Sequence, residues 1–143
     1  MQAVILASGR GTRMGSLTDT IPKPMLLVNG KSLLHHKLDI LPPDIEEVIF
    51  VIGYLGEVIR EAFGSEYAGR KITYVEQDVL NGTMGAVALT QPHIEGRFMV
   101  MMGDDLYGTE DVLRACATPD WVVVLEETEH MASGGKALMG DGD

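Results

Sequence analysis

The 143-residue chain contains one cysteine, Cys116, so it has no internal disulfide framework, and a lone thiol fits a reducing compartment. Basic residues are scarce: eleven Lys and Arg stand against twenty-one Asp and Glu, a formal net charge of −10. That balance gives no attraction to phosphodiester backbone or anionic lipid, which argues against nucleic acid and membrane surfaces as partners and leaves small molecules. No apolar run approaches the roughly 18 to 20 residues that span a bilayer, and Met1-Gln2-Ala3 lacks the basic start of a signal peptide. The expectation is a cytoplasmic protein. Repeats and low-complexity linkers are missing too, and 143 residues with 45% hydrophobic side chains suffice for one domain over 1–143 with its own core.

What is present alternates in a regular way. Ala3–Ala7, Glu47–Ile52, Lys71–Val75, Phe98–Met102 and Trp121–Leu125 are short apolar runs, several β-branched, and predict five strands. Between them lie helical patterns. One opens at a Ser32 cap and stops at Leu41, before Pro42-Pro43; the next runs Leu55–Phe63 and ends at Gly64. Thr83–Thr90 follows Gly82, and Thr109-Glu110-Asp111 supplies a cap and first-turn acids for a helix to about Ala117. Strand-helix alternation requires right-handed crossovers, hence a mostly parallel sheet with helices on both faces in three α/β/α layers. From Met131 to Asp143 four glycines interrupt any period, which leaves open a weak strand around Lys136–Met139, a frayed end or a foreign extension.

Charge is uneven. Residues 1–40 hold Arg10, Arg13, Lys23, Lys31 and Lys37 against Asp19 and Asp39, a net +3 on a strongly acidic chain. A basic opening segment suits a small, highly charged anion. Directly after the first strand comes Ser8-Gly9-Arg10-Gly11-Thr12-Arg13-Met14-Gly15. Its glycines allow a tight turn that brings bare N–H groups against an anion, and Arg13 adds a fork of donors for phosphate oxygens. A dinucleotide fingerprint would need an acidic residue about 20 residues on, at the end of the second strand, but that strand ends in Gly53-Tyr54. Ile21-Pro22-Lys23-Pro24-Met25 then presents Lys23 from a segment stiffened by two prolines. By themselves the glycine turn and the lysine are compatible with ordinary loops; ten residues apart, both point to phosphate.

Leu6-Ala7-Ser8-Gly9-Arg10-Gly11-Thr12-Arg13-Met14 followed by Pro22-Lys23-Pro24-Met25-Leu26 closely resembles the signature of the sugar-1-phosphate nucleotidyltransferases, also called nucleoside-diphosphate-sugar pyrophosphorylases. Gly30-Lys31, Gly53-Tyr54, Gln77, Gly82-Thr83-Met84-Gly85-Ala86 and Gly103-Asp104-Asp105 match in order, so the resemblance covers residues 1–126 and leaves 127–143 as an unassigned tail. It implies the Rossmann-like nucleotide-diphospho-sugar transferase fold. It also implies that Ala7, Gly9, Gly11, Thr12 and Arg13 wrap a nucleoside triphosphate, and that Lys23 contacts its phosphates. Gln77 and Gly82 would read the base edge, with UTP or dTTP favoured. Asp104 would hold Mg²⁺, which agrees with a carboxylate at a strand's carboxyl end opposite a phosphate loop. Arg13, Lys23 and Asp104 would then be the catalytic group, joining the triphosphate to a sugar 1-phosphate with release of pyrophosphate.

The pattern departs from the family twice. A later segment usually supplies most sugar contacts and a second metal aspartate, and only Gly135-Lys136-Ala137-Leu138 loosely resembles its start. Ser8 replaces a more usual alanine, a change to which the sequence assigns no consequence. Three functions stay open: a transferase completed by a second copy or another chain, a nucleotide-binding module without turnover, or a guanylyl- or cytidylyltransferase with a non-sugar acceptor. Pro22-Lys23-Pro24 favours the sugar phosphate over the last. Gln77, Asp104 and Asp105 have plain alternatives as loop residues, His35 and His36 read as parts of an amphipathic helix without a metal role, and the Met99, Met101 and Met102 cluster reads as core.

Overall fold

A computed structural model describes residues 1–124, apart from the side chains of Thr12 and Arg13. In chain order its regular elements are β1 (Gln2–Ala7), β2 (Leu27–Val28), β3 (Lys31–Ser32), α1 (Leu33–Ile40), β4 (Glu47–Ile52), α2 (Gly56–Phe63), β5 (Glu66–Tyr67), β6 (Arg70–Glu76), α3 (Thr83–Leu89), β7 (Phe98–Met102) and α4 (Thr109–Ala117). Five strands form one sheet in the order β5-β6-β4-β1-β7, parallel throughout except for the β5 to β6 hairpin. Among the described residues no helix is long and apolar enough to cross a membrane.

β1 is buried along its whole length because its side chains alternate between two helical layers. Ala3, Ile5 and Ala7 join the larger cluster with Leu34 and Leu38 of α1, Ile59 and Phe63 of α2, and Val112 and Cys116 of α4. Val4 and Leu6 face the other way, toward Ala86 and Val87 of α3. The three-layer arrangement expected from the alternation of elements is therefore present.

Local signals worked as capping chemistry requires. Ser32 Oγ accepts from the His35 backbone N–H at 3.2 Å and starts α1, while Gly64 closes α2 by donating its N–H to Arg60 O at 2.8 Å. At α4 the cap is Gly108, not Thr109, which already lies in the helix and makes no capping bond; Glu110 and Asp111 do occupy the first turn. His35 packs on Phe63 and Tyr67 with ring centroids at 4.6 and 5.6 Å.

The fifth strand is a correction. Trp121–Val124 has no regular structure, Trp121 is 99% exposed, and Leu125 lies outside the described residues. Apolar, β-branched composition favours a strand only where a neighbour offers a ladder, and no described residue pairs with this run. The possible strand around Lys136–Met139 also lies outside the described residues. Two hairpins went unread: Asn29-Gly30 joins β2 to β3 and Ala68-Gly69 joins β5 to β6, each with two consecutive positive-φ residues, as a two-residue type I′ turn demands.

Gly103, just after β7, sits where a Cβ would lie 2.4 Å from Leu6 O, and its own N–H donates to that oxygen at 2.7 Å. Backbone on both sides cannot yield, so Gly103→Ala is expected to cost about 2 kcal/mol of stability, within the usual range for overpacking. Urea denaturation measures it; a midpoint unchanged from the parent would contradict the close approach.

Candidate functional site

Parallel pairing of β1 with both β4 and β7 puts the loops after all three strands at one edge, and the chain order reverses between β1 and β7. In open α/β sheets ligands sit in the crevice at that reversal. The loop after β1 and the Gly103-Asp104-Asp105 turn after β7 border it.

Ala7 closes β1 and is buried; Ser8 is buried behind exposed Gly9 and Arg10. Gly11 adopts φ 63° and caps a kinked 3-10 segment, Thr12–Thr18. A Cβ on Gly11 would lie 3.1 Å from Lys23 Cβ and 3.3 Å from Thr18 Cγ2, so the bare backbone lets the glycine loop pack directly on the lysine stem. Thr12 and Arg13 belong to this segment by backbone. Arg10 lies over the Tyr54 ring, with its guanidinium carbon 5.0 Å from the centroid.

Lys23 begins a single 3-10 turn, with Pro22 as its extended cap and Pro24 inside it, which is how two prolines stiffen its presentation. Its Nζ donates to Asp104 Oδ2 at 2.6 Å across 81 residues of sequence, with the two side chains 32% and 35% exposed. Burial pushes the Asp104 carboxyl upward, but the hydrogen bond and charge of Lys23, helped by the charge of Lys37, hold it below the ordinary range. Two of the three expected catalytic side chains therefore touch.

Lys37 was missed. It shares the buried stripe of α1 with Leu33, Leu34 and Leu38 and is fully inaccessible to solvent. Its ammonium donates to Gly103 O at 2.9 Å and to Asp105 O, and lies 5.8 Å from the Tyr107 ring centroid. The cation thus clamps the carbonyls on either side of Asp104. Burial pushes its pKa down to about 8, against the pull of Asp105 and Asp104. A lysine in phase with leucines was the available signal, since a charge at such a position must find partners inside.

Gln77 follows β6, donates its backbone N–H to Ile52 O at 2.8 Å and is 4% exposed. Its Oε1 accepts from Ser8 Oγ at 2.5 Å and its Nε2 donates to Asn81 Oδ1 at 3.0 Å. Ser8 therefore has a consequence after all. Gly82, at φ 89°, caps α3 and is exposed; no bond joins it to Gln77. Ser8, Arg10, Gly53, Tyr54, Gln77 and Leu80 line a cavity of about 570 Å³ on this side of the β1 loop. A larger cleft of about 1250 Å³ runs along β7 against residues 121–124; neither the β1 loop nor Lys23 lines it.

The Lys23 to Asp104 pair is a third exposed, and pairs of that kind contribute about 0 to 1 kcal/mol to folding. Lys23→Ala should therefore unfold in urea within about 1 kcal/mol of the parent, whereas a loss near 3 kcal/mol would make the pair structural. For Lys37 the unfolded chain, with a pKa near 10.5, holds more protons than the folded one between pH 8 and 10.5. The parent should gain stability relative to Lys37→Met as pH rises through that window. A difference flat from pH 7.5 to 10 would deny that the ammonium is desolvated.

A family model described as nucleotidyl transferase matches residues 2–119. A UTP-glucose-1-phosphate uridylyltransferase of Haloferax volcanii is 40% identical over 108 residues, 75% of this chain and 44% of that protein. A D-glycero-alpha-D-manno-heptose 1-phosphate guanylyltransferase of Campylobacter jejuni is 40% identical over 109 residues, 75% of this chain and 49% of that protein. The solved inositol-1-phosphate CTP transferase of T. maritima superposes with a TM-score of 0.67 at 27% identity, covering 84% of this chain and 49% of the other. The chain spans about half the length of these relatives. Matched over most of its residues, the chain belongs to the nucleotidyl transferase family.

Proposed function

We propose that this site binds a nucleoside triphosphate, UTP or dTTP in preference, and transfers its nucleotidyl group to a sugar 1-phosphate. The observation that carries the reading is the contact of Lys23 with Asp104 beneath the glycine loop, at the chain reversal of the sheet. An ammonium and a carboxylate meeting there offer one group for phosphate oxygens and one for a cation shared with them. The relatives named above are described with UTP, guanylyl and CTP chemistry, so the preference rests on Gln77 and Gly82, the positions that the family resemblance assigns to the base edge.

Among the described residues no group of three or more His, Cys, Asp or Glu side chains could hold a metal. That fits Mg²⁺ shared between protein and substrate, since the ion keeps several waters and commonly takes one or two carboxylates plus phosphate oxygens. Asp104 would hold it, and the bound ion would neutralise charge on the reacting phosphates.

In the reaction an oxygen of the sugar 1-phosphate attacks the α-phosphorus. The bond from that phosphorus to the oxygen bridging to the β-phosphorus breaks, and pyrophosphate leaves with the electron pair. No covalent enzyme intermediate is needed. The work of the chain is to align two anions and offset their charge: loop N–H groups from Gly9 to Arg13 and the Arg13 guanidinium on the leaving pyrophosphate, Lys23 on the reacting phosphates. Lys37 keeps the Asp104 turn in place from behind. In the family that the sequence resembles, most sugar contacts come from a later segment.

Titration with each triphosphate, with and without Mg²⁺, followed by pyrophosphate release with a panel of sugar 1-phosphates, tests the proposal. UTP or dTTP should bind most tightly and more tightly with Mg²⁺. Lys23→Ala and Asp104→Asn should each lower pyrophosphate release on the order of 100-fold or more. Binding without release would select the non-catalytic module, and absence of triphosphate binding would refute the site altogether.

A further inference from the structure

The buried Gln77 side chain is bonded at both ends, to buried Ser8 and to exposed Asn81. Ser8 Oγ donates to its Oε1 and Asn81 Oδ1 accepts from its Nε2. Two glycines make room for this chain of bonds. A Cβ on Gly53 would lie 2.9 Å from Ser8 O and 3.3 Å from Gln77 O, and one on Gly85 would fall 1.7 Å from Asn81 Oδ1. Ser8 and Gln77 also line the same cavity beside the β1 loop.

A primary amide has two acceptor positions on oxygen and two hydrogens on nitrogen. Ser8 and Asn81 take one of each, so one acceptor and one donor remain, with their order fixed. Turning the amide over would put Nε2 against Ser8 and Oε1 against Asn81. Ser8 would then accept, and its buried hydroxyl hydrogen would lose the one acceptor it has among the described residues. Asn81 would have to turn as well, because two carbonyl oxygens cannot share a hydrogen bond. An unsatisfied buried donor makes the turned state unfavourable.

We propose that Ser8 is a specificity-determining positioning residue: its buried hydroxyl locks the polarity of the Gln77 amide so that it accepts from N3–H and donates to O4 of uracil or thymine. Asn81 is exposed and, among the described residues, its side chain bonds only to Gln77, so it can turn with the amide and adds no preference of its own. Cytosine presents the opposite order, an acceptor at N3 and a donor at N4, and meets the locked amide donor to donor and acceptor to acceptor. This inference rests on the reading of Gln77 as the group that faces the base. It goes beyond that reading by assigning the choice between pyrimidines to a residue that need not touch the ligand.

The test is equilibrium titration of the full chain with UTP, CTP and inorganic tripolyphosphate in Mg²⁺, for the parent, Ser8→Ala, Asn81→Ala, Asn81→Asp and Gln77→Ala. The parent should bind UTP about 10-fold or more tightly than CTP. Ser8→Ala should move the UTP to CTP ratio toward one, while Asn81→Ala and Asn81→Asp, which leave the Ser8 hydroxyl in place, should retain it. Tripolyphosphate reports the phosphate cradle apart from the base. A Ser8→Ala variant that weakens all three ligands in parallel with the ratio intact would overturn the proposal. So would an unchanged ratio in Ser8→Ala while Gln77→Ala abolishes it, which leaves Gln77 as base reader and removes only the lock. If Gln77→Ala leaves UTP affinity and the ratio untouched, the base-facing reading fails, and the inference with it.

Discussion

β1 runs parallel to β4 on one side and to β7 on the other, and parallel neighbours deliver their following loops to the same edge of the sheet. Because β1 is buried on both faces, its register cannot slip by one residue without turning Val4 and Leu6 out of one helical layer and Ile5 out of the other. The positions of Ser8, Gln77 and Asp104 relative to one another follow from this constraint. Each leaves a different strand, yet none is more than a residue or two beyond a ladder fixed by core packing. Gly103 and Gly53 carry the same constraint into the loops, since each lies where backbone from a neighbouring strand comes too close for any side chain.

On that frame the phosphate side of the site is electrostatic. The chain as a whole is acidic, yet Lys23 and Lys37 both reach the turn around Asp104, one from the proline-stiffened loop and one from the interior of α1. They do different work. Lys37 is withdrawn from water and spends its donors on backbone carbonyls, so it fixes a shape and is not free to follow a ligand. Lys23 stands a third exposed beside a carboxylate, in a contact whose net worth to folding is small. A group so placed can exchange partners at little cost, which is what a phosphate-binding ammonium requires.

Much of this was legible from the residues. Among the described residues, periodicity gave four of the sheet strands and the four helices, because short apolar or β-branched runs and stripes of apolar residues are written in side chains. The turns at Gly11 and at Pro22 to Pro24 were legible because glycine and proline state backbone conformation directly. Trp121–Val124 misled for a physical reason: a strand is a pairwise object, and a run of valines carries no record of whether a partner lies alongside. Asn29-Gly30 is a plain type I′ signal, but the runs on either side of it are only two residues long and carry no strand period. Lys37, Asn81 and the role of Ser8 were not legible in the same way. Each depends on which carbonyl or amide the fold brings within 3 Å, and sequence spacing of 66, 4 and 69 residues does not encode that.

The two ends of the site therefore rest on different physics. At the Lys23 end, where the proposed function places the phosphates, recognition would come from charge, which is long-ranged, tolerant of small displacements and weakened by salt. At the amide it comes from neutral hydrogen bonds in a buried setting, which are short-ranged and directional, and where a donor facing a donor is penalised by the desolvation it cannot recover. A glycine loop with one accessible lysine and a carboxylate would hold the tail of any nucleoside triphosphate without distinguishing one base from another. Distinction between pyrimidines has to be made where donors and acceptors are fixed in order. In the described part of this chain Gln77 is a buried side-chain amide with both ends tethered, beside the loop that would carry the phosphates. An amide free to turn over would read uracil and cytosine alike, so on the proposed reading discrimination depends less on the amide itself than on the Ser8 hydroxyl that disfavours its rotation.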